Sequence, residues 1–141
     1  LMHKYLCIFL IVGLIAGCQT TQSRGSLFEE LGGQKGVEEI ADRFVRILIK
    51  DERTEQAFTE TDLDRFYEKV VEQFCEVSGG PCVYSGDTMK DVHKGMDISA
   101  ADFNAVVEIL QKAMEQSDIS LSAQNRLLAK LAPMRADMLH Q

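Results

Sequence analysis

Apolar residues recur three and four positions apart in nearly every segment from residue 26 onward, and no stretch keeps a period-2 alternation. Such stripes line one face of a helix and have to be buried, which restricts the chain to helices packed on helices. Ser26-Leu27-Phe28-Glu29 has the form of a capping box and opens a short first helix, which Gly32-Gly33 stops. The second helix places Val37, Ile40, Ala41, Phe44, Ile47 and Leu48 on one face, and a polar turn with Asp51 and Glu52 leads to Ala57-Phe58. Asp62 is positioned to cap a third helix, striped by Leu63, Phe66, Val70, Phe74 and Val77. Ser78-Gly79-Gly80-Pro81 ends it, with glycine near C′ and proline just beyond. From Cys82 to Met96 the pattern is irregular. Ser99 with Asp102 caps a fourth helix facing inward through Phe103, Val106, Val107, Leu110 and Met114. A fifth begins near Ser120 or Ser122, carries Leu127, Leu128 and Leu131, and is kinked or ended by Pro133. The expected class is all-α.

The amino terminus has a different composition. Met2-His3-Lys4 precedes an apolar run from Tyr5 to Ala16, broken only by Gly13. One cation followed by about a dozen apolar residues fits a secretory leader and is short for a membrane span. It ends in Leu14-Ile15-Ala16-Gly17-Cys18, small residues before a cysteine, in the manner of a bacterial lipobox. The expectation is a leader over residues 1–17, lipidation of Cys18, a polar tether over 18–25, and one domain over 26–141. An ordinary leader with an incidental cysteine, or an uncleaved anchor, is the alternative. Gln19, rather than aspartate, follows Cys18 and favours the outer membrane, so the domain would face the periplasm or the cell surface. About 116 residues suffice for a single compact domain.

Cys7 leaves with the leader, so Cys75 and Cys82 remain as an even pair in the folded part. In an oxidising compartment such a pair fits a disulfide, closing a loop for about 2–3 kcal/mol on the chain-entropy account. Two buried free thiols are the alternative. The formal charge is −7, and loss of Lys4 would make it more negative by one. An acidic chain without a basic stripe excludes nucleic acid as a partner class. No H-E-x-x-H, C-x-x-C, glycine-rich phosphate loop or nucleophile elbow is present, which argues against a zinc site, a phosphate cradle and a serine hydrolase.

The chain holds three histidines. His3 lies in the leader and His140 is the penultimate residue, so His93 alone lies within the folded region. A neutral imidazole is the commonest metal ligand, and one axial histidine suffices for haem iron.

The order and spacing of these features resemble the group I truncated hemoglobins over about residues 26 to 139. The markers are Gly32-Gly33, Phe44, Phe58, Gly79-Gly80-Pro81, Tyr84-Ser85-Gly86, the run Met89…Val92-His93-Lys94-Gly95-Met96, and Leu131-Ala132-Pro133. The resemblance implies a two-over-two helical sandwich around one haem, with an irregular segment replacing most of the proximal helix. It implies His93 as the axial iron ligand, Phe58 packed on the porphyrin, and Lys69 beside a propionate. Phe44, Phe66, Val70, Met89 and Tyr84 would complete the haem contacts.

The chain also departs from that pattern. Many group I members carry a tyrosine directly after the second-helix phenylalanine; here Val45 follows Phe44. The third-helix pocket positions are Phe66 and Val70, so a distal pocket of Val45, Phe66, Val70 and Gln73 reads as largely apolar. Gln73 and Tyr67 are the nearest donors and are expected to face away from the iron.

The leading expectation is a lipid-anchored haem globin that reversibly binds oxygen or another diatomic gas. Haem-dependent nitric oxide dioxygenation or peroxidase-like chemistry is the enzymatic alternative; it would need an electron-donating redox partner that this chain does not encode. A cofactor-free interaction lipoprotein is the third reading.

Overall fold

Side-chain oxygens start the helices where the sequence supplies them. The computed structural model describes residues 25–141, so the expectations for the leader, for His3 and for Cys18 lie outside the described residues. Helix α1 (Leu27–Glu30) is opened by the reciprocal Ser26–Glu29 capping box. Helix α2 spans Gly33–Leu48. Asp62 caps α3 (Leu63–Val77) by accepting from the Arg65 N–H. Ser99 and Asp102 form a second capping box at the start of α5 (Ala100–Gln116), and Ser120 caps α6 (Leu121–Leu131). Each cap satisfies backbone N–H groups that the first turn leaves without partners.

The breaks have equally local causes. Gly32 adopts φ +94°, a left-handed conformation that lets α1 turn sharply into α2. At the far end of α3, Gly79 takes φ +86° and the Gly80 N–H bonds back to the Cys75 carbonyl at 2.8 Å. A Cβ on Gly80 would lie 2.6 Å from the Phe28 ring and 2.7 Å from the Cys75 sulfur, so no larger residue fits between α1 and α3. Cys75 and Cys82 are joined as a disulfide across this turn. Pro133 falls in a 3-10 turn, Ala132–Met134, that ends α6 and leads into α7 (Arg135–Met138).

Helices α2 and α3 pack as one layer, α5 and α6 as the other, with contacts α2–α5 and α3–α6 between layers. This is the two-over-two sandwich. Leu31, Ile40, Leu48, Ile109, Met114 and Leu127 are fully buried where the stripes meet. Thr54, Ser78 and Gln124, buried polar residues, are satisfied: the Thr54 hydroxyl donates to the Leu48 carbonyl at 2.7 Å, the Ser78 hydroxyl to the Cys75 carbonyl at 3.0 Å, and the Gln124 amide to the Ile119 carbonyl at 2.8 Å. Among the described residues no helix is long and apolar enough to cross a membrane. The only strand-like feature among them is an isolated bridge between Ile98 and Leu139.

The segment that reads as irregular from Cys82 to Met96 contains one helical turn, α4 (Met89–Val92). Thr88 starts it by accepting from the Asp91 N–H, while its hydroxyl donates to the Asp91 carboxylate at 2.6 Å. A single turn leaves no periodicity to detect. Helix α4 rests on α7, and the residues after it are tied to the end of the chain. The Gly95 N–H donates to the Gln141 carbonyl at 2.9 Å and the His140 N–H to the Ile98 carbonyl at 3.1 Å.

Candidate functional site

The strap between α3 and α5 presents His93 from the last position of the α4 turn. Met89 sits four residues earlier, and its carbonyl lies 2.7 Å from His93 Nδ1. A carbonyl can only accept, so Nδ1 carries a proton, and in the neutral ring this leaves the lone pair on Nε2. Metal-ligating histidines characteristically donate their second ring nitrogen to a carbonyl in this way. The ring is half-buried, and two of the four large exposed apolar side chains among the described residues flank it: Val92 at 48% and Met96 at 45% exposure. Apolar groups left uncovered beside a free imidazole nitrogen suit a flat apolar ligand with a coordinating centre, as haem is.

Phe58 and Phe66 pack with ring centroids 5.1 Å apart and planes tilted by 45°, bringing the turn after α2 onto the start of α3. Both are half-buried at the edge of the core. Phe44 lies deeper, against Phe74 at 5.8 Å, with Val70 in the same buried cluster. Val45 is buried outside that cluster. Tyr67 is directed toward α2: burial, and then the carboxylates of Glu38 and Asp42, raise its phenol. Gln73 turns the other way. Its amide approaches the Met89 sulfur at 3.4 Å and the Met134 sulfur at 3.6 Å, on the strap side of α3.

The polar face of α3 grips the strap. Lys69 Nζ donates to the Glu72 carboxylate at 2.8 Å and to Ser85 Oγ at 2.6 Å. Glu72 also accepts the Ser85 N–H at 2.9 Å, and Glu76 accepts the Tyr84 N–H at 3.1 Å. The Tyr84 hydroxyl donates to the Asp87 carbonyl at 3.0 Å. Burial, and then the Asp87 and Glu72 carboxylates, raise that phenol, while Arg65 pulls it down. The Lys69 ammonium first, then the Ser85 N–H, hold the Glu72 carboxyl at about 2, well below its ordinary 4.5. Lys69 is therefore occupied by Glu72 and Ser85 in this structure.

Lys69 with Ser85, Glu76 with Tyr84, and Gln73 with Met89 and His93 are thus brought together where α3 meets the strap, while Phe58 and Phe66 pair at the edge of the core. Val45 and Tyr67 are not. Sequence reasoning did not single out Glu72, Ser85 or Thr88. Lys69 and Glu72 stand three apart with a hydroxyl in the facing loop, and Thr88-x-x-Asp91 is a short cap signature, so both signals were present but weak. His140 lies elsewhere, exposed, 3.0 Å from the Asp97 carboxylate. Among the described residues no cluster of three or more His, Cys, Asp or Glu side chains could hold a metal ion. A groove between α2 and α5, lined by Arg43, Arg46, Lys50, Lys112, Glu39 and Asp42, carries both signs of charge and includes none of the residues above.

Residues 26–140 match the family described as bacterial-like globin. The chain is 29% identical over 113 residues to the group 1 truncated hemoglobin of Mycolicibacterium paratuberculosis, covering 80% of this chain and 83% of that protein. It is 27% identical to the group 1 truncated hemoglobin of Tetrahymena pyriformis, covering 81% and 94%. The crystal structure of the truncated hemoglobin from T. pyriformis, in its Fe(III) form, superposes with a TM-score of 0.80 at 26% identity, covering 83% of this chain and all of that one.

Because Glu72 titrates lower folded than unfolded, the stability it adds is fully present above pH 4.5 and is lost as pH falls toward about 2. Glu72→Gln should therefore melt below wild type near neutrality, with the gap narrowing below pH 4.5 and closing near pH 2. Thermal melts against pH check this; a gap constant across that range contradicts it.

Proposed function

The chain belongs to the bacterial-like globin family, and on that premise we propose that it is a haem-binding globin taking up oxygen or another diatomic gas, with His93 as the axial iron ligand. One observation carries the assignment of the ligand: the imidazole whose Nδ1–H is fixed on the Met89 carbonyl, leaving Nε2 free beside uncovered apolar residues. Haem, when bound, would supply an iron that His93 holds and that takes up the gas. The protein's own contributions follow from its residues. Met89 fixes the tautomer and the plane of the ring. Phe58 and Phe66, with Phe44 and Val70 behind them, form an apolar wall that keeps water from the site. Lys69, at the rim of α3, is the cation for a propionate and would be shared with Glu72 and Ser85. Tyr84 and Met89 would contact the haem from the strap, where Glu76 and Gln73 of α3 hold them.

Haem-supplemented protein should show a Soret band that His93→Ala removes or shifts. Protein that stays colourless would instead support a cofactor-free helical bundle.

The distal reading concerns release. A donor to a charged acceptor contributes about 1.5–3 kcal/mol, about ten- to a hundred-fold in a rate. The Tyr67 phenol lies by Glu38 and Asp42, and the Gln73 amide lies between two methionine sulfurs, so neither is committed to the gas. Oxygen should leave quickly, at a rate that Tyr67→Phe and Gln73→Leu leave within about two-fold. Flash photolysis measures it; slow release that either substitution accelerates would sink the apolar-pocket reading.

We further propose that the domain is exported and tethered to a membrane, the outer one by preference, through lipid on Cys18. The Cys75–Cys82 disulfide supports an oxidising compartment. Metabolic labelling with a fatty acid should mark the protein and fail in Cys18→Ala; labelling that survives the substitution overturns the anchor.

A further inference from the structure

Three side chains within about one turn of α3 reach the strap at successive points. Glu72 accepts the Ser85 N–H at 2.9 Å and the Ser85 hydroxyl, Glu76 accepts the Tyr84 N–H at 3.1 Å, and Gln73 contacts the Met89 sulfur. Positions 72, 73 and 76 share one helical face, so a single rigid element sets all three. From Ser85 onward the chain has little freedom. The Tyr84 hydroxyl closes on the Asp87 carbonyl, Thr88 caps the α4 turn through Asp91, and the Met89 carbonyl takes the His93 Nδ1–H. Separate local bonds thus brace the backbone at intervals between α3 and the imidazole, and Glu72 fixes Ser85 near the start of that stretch. Its carboxylate is the group bonded at once to α3's own Lys69 and to both the backbone and side chain of the strap.

We propose that Glu72 is a positioning residue for His93, holding the strap on α3 so that the Met89 carbonyl and the imidazole stay in register with the haem. This rests on the reading of His93 as the iron ligand. The carboxylate need not touch haem or gas; it acts through Ser85 and the turn that follows. Partners that orient a metal-binding histidine typically change metal affinity ten- to a hundred-fold when removed. An effect of about ten-fold on haem retention is expected for Glu72, because it lies further out than such partners usually do.

The test uses the haem-loaded protein in wild type and in Glu72→Gln, Glu72→Asp, Ser85→Ala and His93→Ala, with Leu127→Ala as a variant destabilised in the remote core. Three quantities are read: the iron–histidine stretching band of the ferrous protein, the rate of haem transfer to an excess of apomyoglobin, and amide exchange at Tyr84 and Ser85. Glu72→Gln should shift or broaden the band, speed haem loss about ten-fold and deprotect the Ser85 amide. Glu72→Asp should restore part of each. Leu127→Ala should lower the melting temperature and leave the band in place. A band that is present, lost in His93→Ala and unmoved in Glu72→Gln overturns the positioning role alone. A change in Glu72→Gln that merely matches Leu127→Ala at equal loss of stability overturns it too. A band absent from wild type, or retained in His93→Ala, overturns the ligand reading and the positioning role together.

Discussion

Helix α3 has to satisfy two surfaces at once, and the rest of the molecule depends on that. Val70, Val71, Phe74 and Cys75 are buried against the sandwich, while Lys69, Glu72, Gln73 and Glu76 face the strap. The apolar face fixes the rotation of the helix, because turning it would expose the Phe74 ring and break its packing on Phe44. With the rotation fixed, the positions of the four polar groups follow without further adjustment. A segment with a single turn of helix and little apolar content then acquires a defined path, because its backbone N–H groups are claimed by carboxylates already in place. The disulfide at Cys75 acts in the same direction, limiting how far the strap can begin from α3.

Much of this was legible in the chain. The capping boxes at Ser26 and Ser99, the Asp62 and Ser120 caps, the glycines at 32, 79 and 80 and the four long stripes each depend on residues close in sequence, and local physics writes them plainly. The disulfide was left open between two readings and is formed. What escaped notice depends on distance. Helix α4 is one turn long and has no period. Glu72 looks like any solvated glutamate on a helix until Ser85, thirteen residues later, folds back onto it. Lys69 is expected beside a propionate, and its ammonium already has two protein partners within 3 Å, Glu72 and Ser85. The orientation of Gln73 toward Met89 and Met134 joins elements sixteen and sixty-one residues away, beyond any helical pattern.

The functional residues therefore divide by the range of the interactions that place them. His93 could be singled out because histidine is scarce here and its chemistry is distinctive. Phe58 was placed by the resemblance and Phe66 by the α3 stripe, and the structure pairs their rings 5.1 Å apart. The groups that orient these side chains carry ordinary chemistry, and only tertiary structure distinguishes them from surface charge.

The pairing of the Gly95–Ile98 stretch with residues 139–141 has a consequence for the order of assembly. The two segments are separated by two long helices, so neither can stabilise the other until most of the polypeptide is made and collapsed. Closing such a large loop is entropically costly and is compensated late, after the helical hairpins have formed. On a nascent chain α3 can already hold Ser85, yet the stretch just after His93 stays untied until the end of the chain arrives. Under the proposed ligation by His93, a porphyrin arriving early would meet a seat fastened at one side only, and firm capture belongs to the final stage of folding.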